Sequence, residues 1–589
     1  MKSGRRMVKG LGVTGGLGLG PAFYLESRVP DISEANIKPT EVRREVQRFN
    51  RALHRAKRDL QAIRKRGLRR LEGRVLEIFD AQILMLDDRE LYHQVTTAIR
   101  TEFVTAEWAY HRQIQAALGV LRKSKDEYLR QMEGDISAVT RRVIQYLLGF
   151  KRATLAELVK PSVLVAEQLS PADLVQIPRD KVVGIVTRAG SRTDHTSLVA
   201  RSLGIPAVVG ASADIRPARQ GQRVLVDAED GRVYYSPGPA ELSWYRTAQR
   251  REQLREKQSE VWARREAVTS DGYRIALRAN LELVSEIDFA QRCGAEGVGL
   301  FRTEFLFISA ERLPDEETQV QAYSDLASRF APEPVVLRVY DLGGDKVFYS
   351  HKPEFEPNPA LGWRAVRLLL DRPALFRTQL RAMYRVAYKY GNVSILFPMV
   401  SGLAEWQRIV DLARQVQMEL KSEGLSNSRH VPLGIMVEIP ALALEADSVA
   451  PVCDFFSVGT NDLVQYMLAV DRQNPKVASR YQPYHPAVLR TLRLVTRAAH
   501  THNIKVSICG DLASDLLALP LLLGLGFDEL STVPGAIPQI KAVLRDFSIE
   551  EARELGRQAL SLKTATEILA LLKATWKTWN RRSHQKAPS

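Results

Sequence analysis

The sequence predicts an α/β multidomain chain: an all-helical segment, a compact α/β domain, and a (β/α)8 TIM barrel towards the C-terminus. Three observations carry this reading. From Arg274, eight strand-like runs alternate with helical stretches over about 260 residues, the count and length of a barrel. Ahead of them, from Val163, the short β-branched runs "VLVAE", "VVGIVT", "AVVG" and "RVLVDA" stand between turns and mark a smaller α/β unit. Earlier still, residues 41–74 carry apolar side chains at alternating spacings of three and four, a helical seam with no strand pattern. At 589 residues the chain is too long for one ordinary domain.

In the helical segment, Val46, Phe49, Leu53, Ala56, Leu60 and Ile63 form the seam, and the arginines between them form a solvated face. Helix is expected to continue to about Leu148, past an acidic stretch at Asp87, Asp88 and Glu90. The net charge of +16 points first to nucleic acid or an anionic surface. Many of the basic residues lie along this one helical face, where solvation accounts for them, so no nucleic-acid partner is expected.

The α/β unit holds "GSRTDHTSLVARSLGIPAVVG", Gly190 to Gly210. Thr193 is a candidate N-cap, and Leu198, Val199 and Leu203 would face the core. Gly204 suits a left-handed C′ position, with Pro206 just beyond. His195 then sits in the first turn, where free N–H groups and the helix dipole favour an anion and a neutral imidazole. From these residues alone it is either an ordinary helix-start histidine or a nucleophile. Glu241 to Ala267 reads as a connecting helix, and the basic, polar chain after Leu572 as a frayed tail.

In the barrel, polar residues stand where strands end: Arg302, Asp341, Glu438, Asn461, Asp462 and Cys509. Strand ends converge on one mouth, so Glu438 and Asp462 can share a divalent cation, magnesium or manganese by their hard oxygen donors. Arg302, Arg338, Arg364 and Arg472 offer planar forks that match phosphate and carboxylate oxygens. A small substrate with several negative charges fits, such as a phosphorylated carboxylic acid; ion pairs across a purely structural barrel are the alternative. Cys509 is either a general acid or a small buried hydrophobe, and Cys293 and Cys453 suit the second role. Three scattered cysteines make neither a disulfide scaffold nor a zinc site. No apolar run reaches about 18 residues, so no membrane span is expected. The N-terminal glycines make a poor signal-peptide helix, and the cytoplasm is the expected compartment.

These motifs together resemble the phosphoenolpyruvate–protein phosphotransferases, the enzyme I family of the bacterial sugar phosphotransferase system, within the wider phosphoenolpyruvate-utilising enzymes. "GSRTDHTSLVARSLGIPAVVG" is similar to the phosphohistidine motif, and "AEGVGLFRTEFLF", "DLGGDK", "NPALGWRAVR", "ILFPMV", "GIMVEIPA", "DFFSVGTNDLVQYMLAVDR" and "ICGDLASD" to the barrel motifs, in the same order along nearly the whole chain. The resemblance implies a swivelling phosphohistidine α/β domain (1–34 and 152–238) with an inserted helical bundle that binds a carrier protein (35–151). It further implies a linker helix (239–268), a phosphoenolpyruvate-binding and dimerising barrel (269–575) and a basic tail (576–589). His195 would take the phosphoryl group and pass it to a small histidine phosphocarrier protein. Arg302, Arg338, Arg364, Asn461, Asp462 and Arg472 would bind substrate, Glu438 and Asp462 would hold Mg2+, and Cys509 would protonate the enolate of pyruvate. A homodimer is implied. A regulatory or nitrogen-branch relay with a different carrier is the alternative.

Three positions depart from the family pattern. Asp194 stands where a small hydroxyl or thiol residue is usual, and places a carboxylate beside the arriving phosphate. Met132 stands where an arginine is usual, although Asp135 is kept. The helical domain is basic from Arg64 to Arg74, around the candidate docking residues Asp80, Met85, Asp87 and Glu90, which would favour an acidic carrier.

Overall fold

The computed structural model describes residues 6–25, 32–67, 82–122, 127–149, 155, 158–167, 169, 173, 177–178, 180–190, 197, 200, 204–211, 221–304, 314–343, 358–427, 429–472, 474 and 476–586. It divides into two units, residues 1–252 and 253–589.

The first unit is built on an eight-stranded sheet: β1 (Arg6–Lys9), β2 (Leu11–Gly12), β3 (Leu17–Leu25), β4 (Ser162–Ala166), β5 (Val182–Thr187), β6 (Ala207–Val209), β7 (Arg223–Asp227) and β8 (Arg232–Tyr235). Their order is β1-β8-β7-β3-β4-β5-β6-β2. The long β3 pairs antiparallel with β7 and parallel with β4, so the N-terminal segment and the segment after residue 160 build one sheet. Gly18 lets β3 lie flat on β5: a Cβ there would sit 2.0 Å from the Val183 carbonyl oxygen.

Between β3 and β4 come helices Val42–Gly67, Arg89–Glu102, Ala106–Arg122 and Glu127–Leu148. Phe49, Ala56, Leu60 and Ile63 of the expected seam are buried, joined by Ala52, while Val46 and Leu53 pack at its edge. Phe49 stacks on Tyr92 (5.9 Å) and tilts against Tyr110 (5.6 Å). Arg43, Arg44, Arg51, Arg55 and Arg58 form the exposed face. Arg48 departs from it. Its guanidinium binds Glu45 and Glu107 and donates to the Leu147 carbonyl (2.6 Å), while Glu45 accepts the Ala106 amide (2.7 Å). Three helices therefore meet on one partly buried ion cluster.

The second unit is a closed all-parallel barrel of β9 (Ala276–Leu281), β10 (Val298–Arg302), β11 (Val335–Arg338), β12 (Val393–Phe397), β13 (Leu433–Val437), β14 (Phe455–Val458), β15 (Lys505–Ile508) and β16 (Glu529–Thr532). Each lies in one of the eight strand-like runs; β10 to β16 are short, nearly continuous buried stretches, as strands covered on both faces require, while β9 alternates buried and half-buried residues. Leu300, Val336, Leu396, Met436 and Cys509 fill the interior. No helix among the described residues is long and apolar enough to cross a membrane.

Two expectations need correction. The connecting helix runs Pro239–Ala263 and stops four residues short of Ala267. The buried Lys541 ammonium donates to the Ala263 carbonyl (2.9 Å) and caps that end. The chain after Leu572 does not fray: helix Ala565–Lys586 continues through it. Ile568, Leu572 and Trp579 recur on one face, and Trp579 is buried with its ring stacked on Phe547 (5.1 Å). That apolar stripe outweighs the polar composition of the surface around it.

Candidate active site

The barrel places its polar residues at the C-terminal ends of strands, because the alternation that fills the interior with apolar side chains ends there. Arg302 and Arg338 are the last residues of β10 and β11 and are register partners. Glu438 follows β13, Asn461 and Asp462 lie in the first turn of helix Thr460–Leu468 after β14, and Cys509 follows β15. A helix N-terminus favours the carboxylate of Asp462.

These groups form a continuous ionic ladder. Arg364 grips Asp341 with both ends of its fork, Nε to Oδ1 (2.9 Å) and Nη2 to Oδ2 (2.6 Å). Its Nη2 also reaches Asp462 Oδ2 (3.3 Å), and Nη1 donates to the Tyr466 hydroxyl (3.2 Å). Arg472 Nη2 lies 3.5 Å from the other oxygen of Asp462. Arg338 pairs with Glu304 and stands 3.5 Å from Asp341. Burial works to lower the pKa of Arg338 and of Arg364, but the carboxylates around them, Glu304 and Asp341 foremost, raise both. Arg302 sits at the wetter edge and donates to Glu282 (2.6 Å).

Glu438 is buried and accepts the Met399 amide (2.7 Å), at a residue held in the left-handed region (φ 59°). Burial, then the charges of Asp462 and Asp341, push its carboxyl up to about 8. A buried carboxyl facing two more carboxylates is a place where a cation is favoured. Among the described residues no group of three His, Cys, Asp or Glu side chains is placed to hold a metal ion. Glu438 and Asp462 offer two carboxylates, and a cation held there would complete its shell with water and substrate oxygens. That donor set fits Mg2+.

Cys509 is buried beside this ladder. Its thiol faces the Val458 carbonyl (3.5 Å), and burial pushes it up to about 11. Asn280 donates to the Cys509 carbonyl (2.9 Å), and Asn461 accepts the Asp511 amide (2.8 Å), pinning the backbone on either side of the mouth.

Arg338, Arg364, Asp462, Arg472 and Glu438 are thus brought together, with Arg302, Asn461 and Cys509 around them. His195, Asp194 and Thr193 lie outside the described residues, as do Asp80 and the side chains of Met132 and Asp135. Gly204 has the expected left-handed conformation (φ 63°). Of the candidate docking residues, Met85 is half-buried in the bundle, Asp87 is paired with Lys57 (2.6 Å) and Glu90 is exposed.

Sequence reasoning missed Glu282, Glu304, Met399 and Tyr466. Glu304, inside "GLFRTEF", carried a signal: a carboxylate two residues after an arginine at a strand end. Met399 contributes only its backbone, which no side-chain pattern reports.

Family models match the chain along most of its length: PEP-utilising enzyme, N-terminal (residues 9–131), PEP-utilising enzyme, mobile domain (158–231) and PEP-utilising enzyme, PEP-binding domain (256–549). The phosphoenolpyruvate-protein phosphotransferase of Bacillus sp. (strain S) is 38% identical over 575 residues, 97% of this chain and 98% of that protein. The chain belongs to the phosphoenolpyruvate–protein phosphotransferase family. Further phosphotransferases with that name, from Geobacillus stearothermophilus (38%, 97% of this chain and 98% of that one) and Bacillus subtilis (37%, 97% and 100%), match over the same extent. As a phosphoenolpyruvate–protein phosphotransferase family member the chain is a PEP-utilising enzyme. The ionic ladder, with Arg302 and Cys509 beside it, falls within the PEP-binding family model, and the His195 segment within the mobile one.

Proposed function

We propose that this chain transfers the phosphoryl group of phosphoenolpyruvate to Nε2 of His195 and then to a histidine of a small phosphocarrier protein, opening a relay for sugar uptake in the cytoplasm. The observation that carries this reading is the ladder of Arg338, Asp341, Arg364, Asp462 and Arg472 with Glu438 beside it. It is a preorganised cradle for a small, multiply charged anion.

In this reading Arg302 and Arg338 bind the phosphate with Arg364 nearby, and Asn461, Asp462 and Arg472 complete the substrate's shell. Glu438 and Asp462 would hold Mg2+, which would supply positive charge to offset that of the substrate. The bond between phosphorus and the enol oxygen breaks as one forms to His195. The enolate left behind takes its proton at the methylene carbon from the Cys509 thiol, which burial keeps protonated. Residues 1–34 and 152–238 carry the phosphohistidine between sites, residues 35–151 receive the carrier, 239–268 link, and the barrel from 269 binds substrate and dimerises. Glu90 and the half-buried Met85 are the docking candidates.

Incubation with labelled phosphoenolpyruvate and Mg2+ should give acid-labile protein label and pyruvate. His195→Ala should abolish the label, and absence of label on the wild type would overturn the reading.

A further inference from the structure

Arg338 differs from its neighbours in what it leaves free. Arg364 is locked by the two-point grip of Asp341 and by Tyr466. Arg338 is held along one edge, Nη2 on Glu304, while Nη1 meets only the Met436 sulfur (3.8 Å) and its buried Nε has no hydrogen-bond partner among the described residues. Nη1, with no oxygen partner among the described residues, is the donor left for an incoming oxyanion.

What holds that edge comes from the two residues that follow β10. Thr303 Oγ1 donates to the Arg338 carbonyl (2.7 Å), so consecutive residues grip Arg338 at its backbone and at its guanidinium. Gln379 braces the grip: its Nε2 donates to Thr303 Oγ1 (3.0 Å), and its Oε1 accepts the Tyr340 amide (3.0 Å). Glu304 is 1% exposed, and its second oxygen, Oε2, is buried with no hydrogen-bond partner among the described residues. A buried carboxylate oxygen left unmet is costly, and an apolar residue at this position would avoid that cost. The other oxygen offsets that cost through its ion pair with Arg338.

We infer that Glu304 is a positioning residue for substrate binding: it fixes the guanidinium of Arg338 through Nη2 so that Nη1 is left to donate to the phosphate of phosphoenolpyruvate. The inference rests on the reading that Arg338 binds that phosphate. Glu304 touches no reacting atom and acts only through Arg338. Glutamine at this position keeps the length and loses the charge. Aspartate keeps the charge and withdraws it by one methylene.

The test is a double-mutant cycle on the full-length protein. The readout is kcat/KM for labelling by phosphoenolpyruvate with Mg2+, with a thermal melt of each variant. Loss of one charge-assisted hydrogen bond predicts a fall of about tenfold or more for Glu304→Gln, carried mainly by KM. Glu304→Asp, the variant to use if Glu304→Gln does not fold, should fall by less. Arg338→Ala should fall at least as far as Glu304→Gln. Adding Glu304→Gln to Arg338→Ala should cost no more than about twofold further, because the group it positions is gone. Wild-type kinetics in Glu304→Gln, or in Glu304→Asp where it replaces it, would overturn the inference. So would a full additional loss in the Arg338→Ala background, which marks general structural damage. Wild-type kinetics in Arg338→Ala itself would overturn the underlying assignment of Arg338 and the inference with it.

Discussion

At the scale of single residues, the mouth of the barrel is a balance of opposite charges rather than an open basic patch. Each arginine expected to meet substrate already has a carboxylate neighbour: Arg302 with Glu282, Arg338 with Glu304, Arg364 with Asp341, Arg472 with Asp462. The forks are therefore oriented before an anion arrives, which lowers the reorganisation that binding requires. Arg364→Ala would leave Asp341 and Asp462 short of their partner in a mostly buried place. We predict destabilisation of about 3 kcal/mol, read as a fall in denaturation midpoint, together with loss of labelling. Arg364→Lys should not rescue labelling, because an ammonium cannot reproduce the two-point grip. Cys509 supplies a second prediction. Cys509→Ala should slow pyruvate formation about a hundredfold while a single round of protein labelling survives. Since burial raises the thiol to about 11, the donor form persists below that pH. Pyruvate formation should show no thiol titration between about pH 7 and 9.

At the scale of elements, what was legible and what was not have physical reasons. The eight barrel strands read clearly, because strands buried on both faces leave near-continuous apolar runs between turns. The strand-end residues Glu438, Asp462 and Cys509 read clearly too, because an ionisable group has no packing reason to follow such a run. The pairings did not: Glu304 with Arg338 joins the segment after β10 to the end of β11, and Arg364 with Asp462 spans 98 residues. Such contacts depend on barrel closure, which no local pattern encodes. The C-terminal helix was misread because basic and polar residues outnumber apolar ones after Leu572, while its buried stripe rests on Ile568, Leu572 and the isolated Trp579. Trp579→Ala should therefore destabilise the barrel by about 3 kcal/mol in a melt. Labelling at low temperature should survive, since the substitution touches nothing at the mouth.

At the scale of the whole molecule, the chemistry divides between two units. The oxygen donors and arginines that suit phosphoenolpyruvate belong to residues 253–589, and His195 belongs to the segment before it. A relay built this way requires the phosphohistidine domain to move between barrel and carrier. Under the proposed function, Mg2+ serves only the step that takes the phosphoryl group from phosphoenolpyruvate. Chelation should then abolish labelling by phosphoenolpyruvate, yet leave transfer from already labelled protein to the carrier intact; loss of both on chelation would contradict that division. The central claim is most directly tested by locating the phosphate itself. After reaction with phosphoenolpyruvate and Mg2+ at neutral pH, peptide mass spectrometry should place one phosphoryl group on His195. Phosphate on another residue, or pyruvate formed with none on the protein, would contradict it.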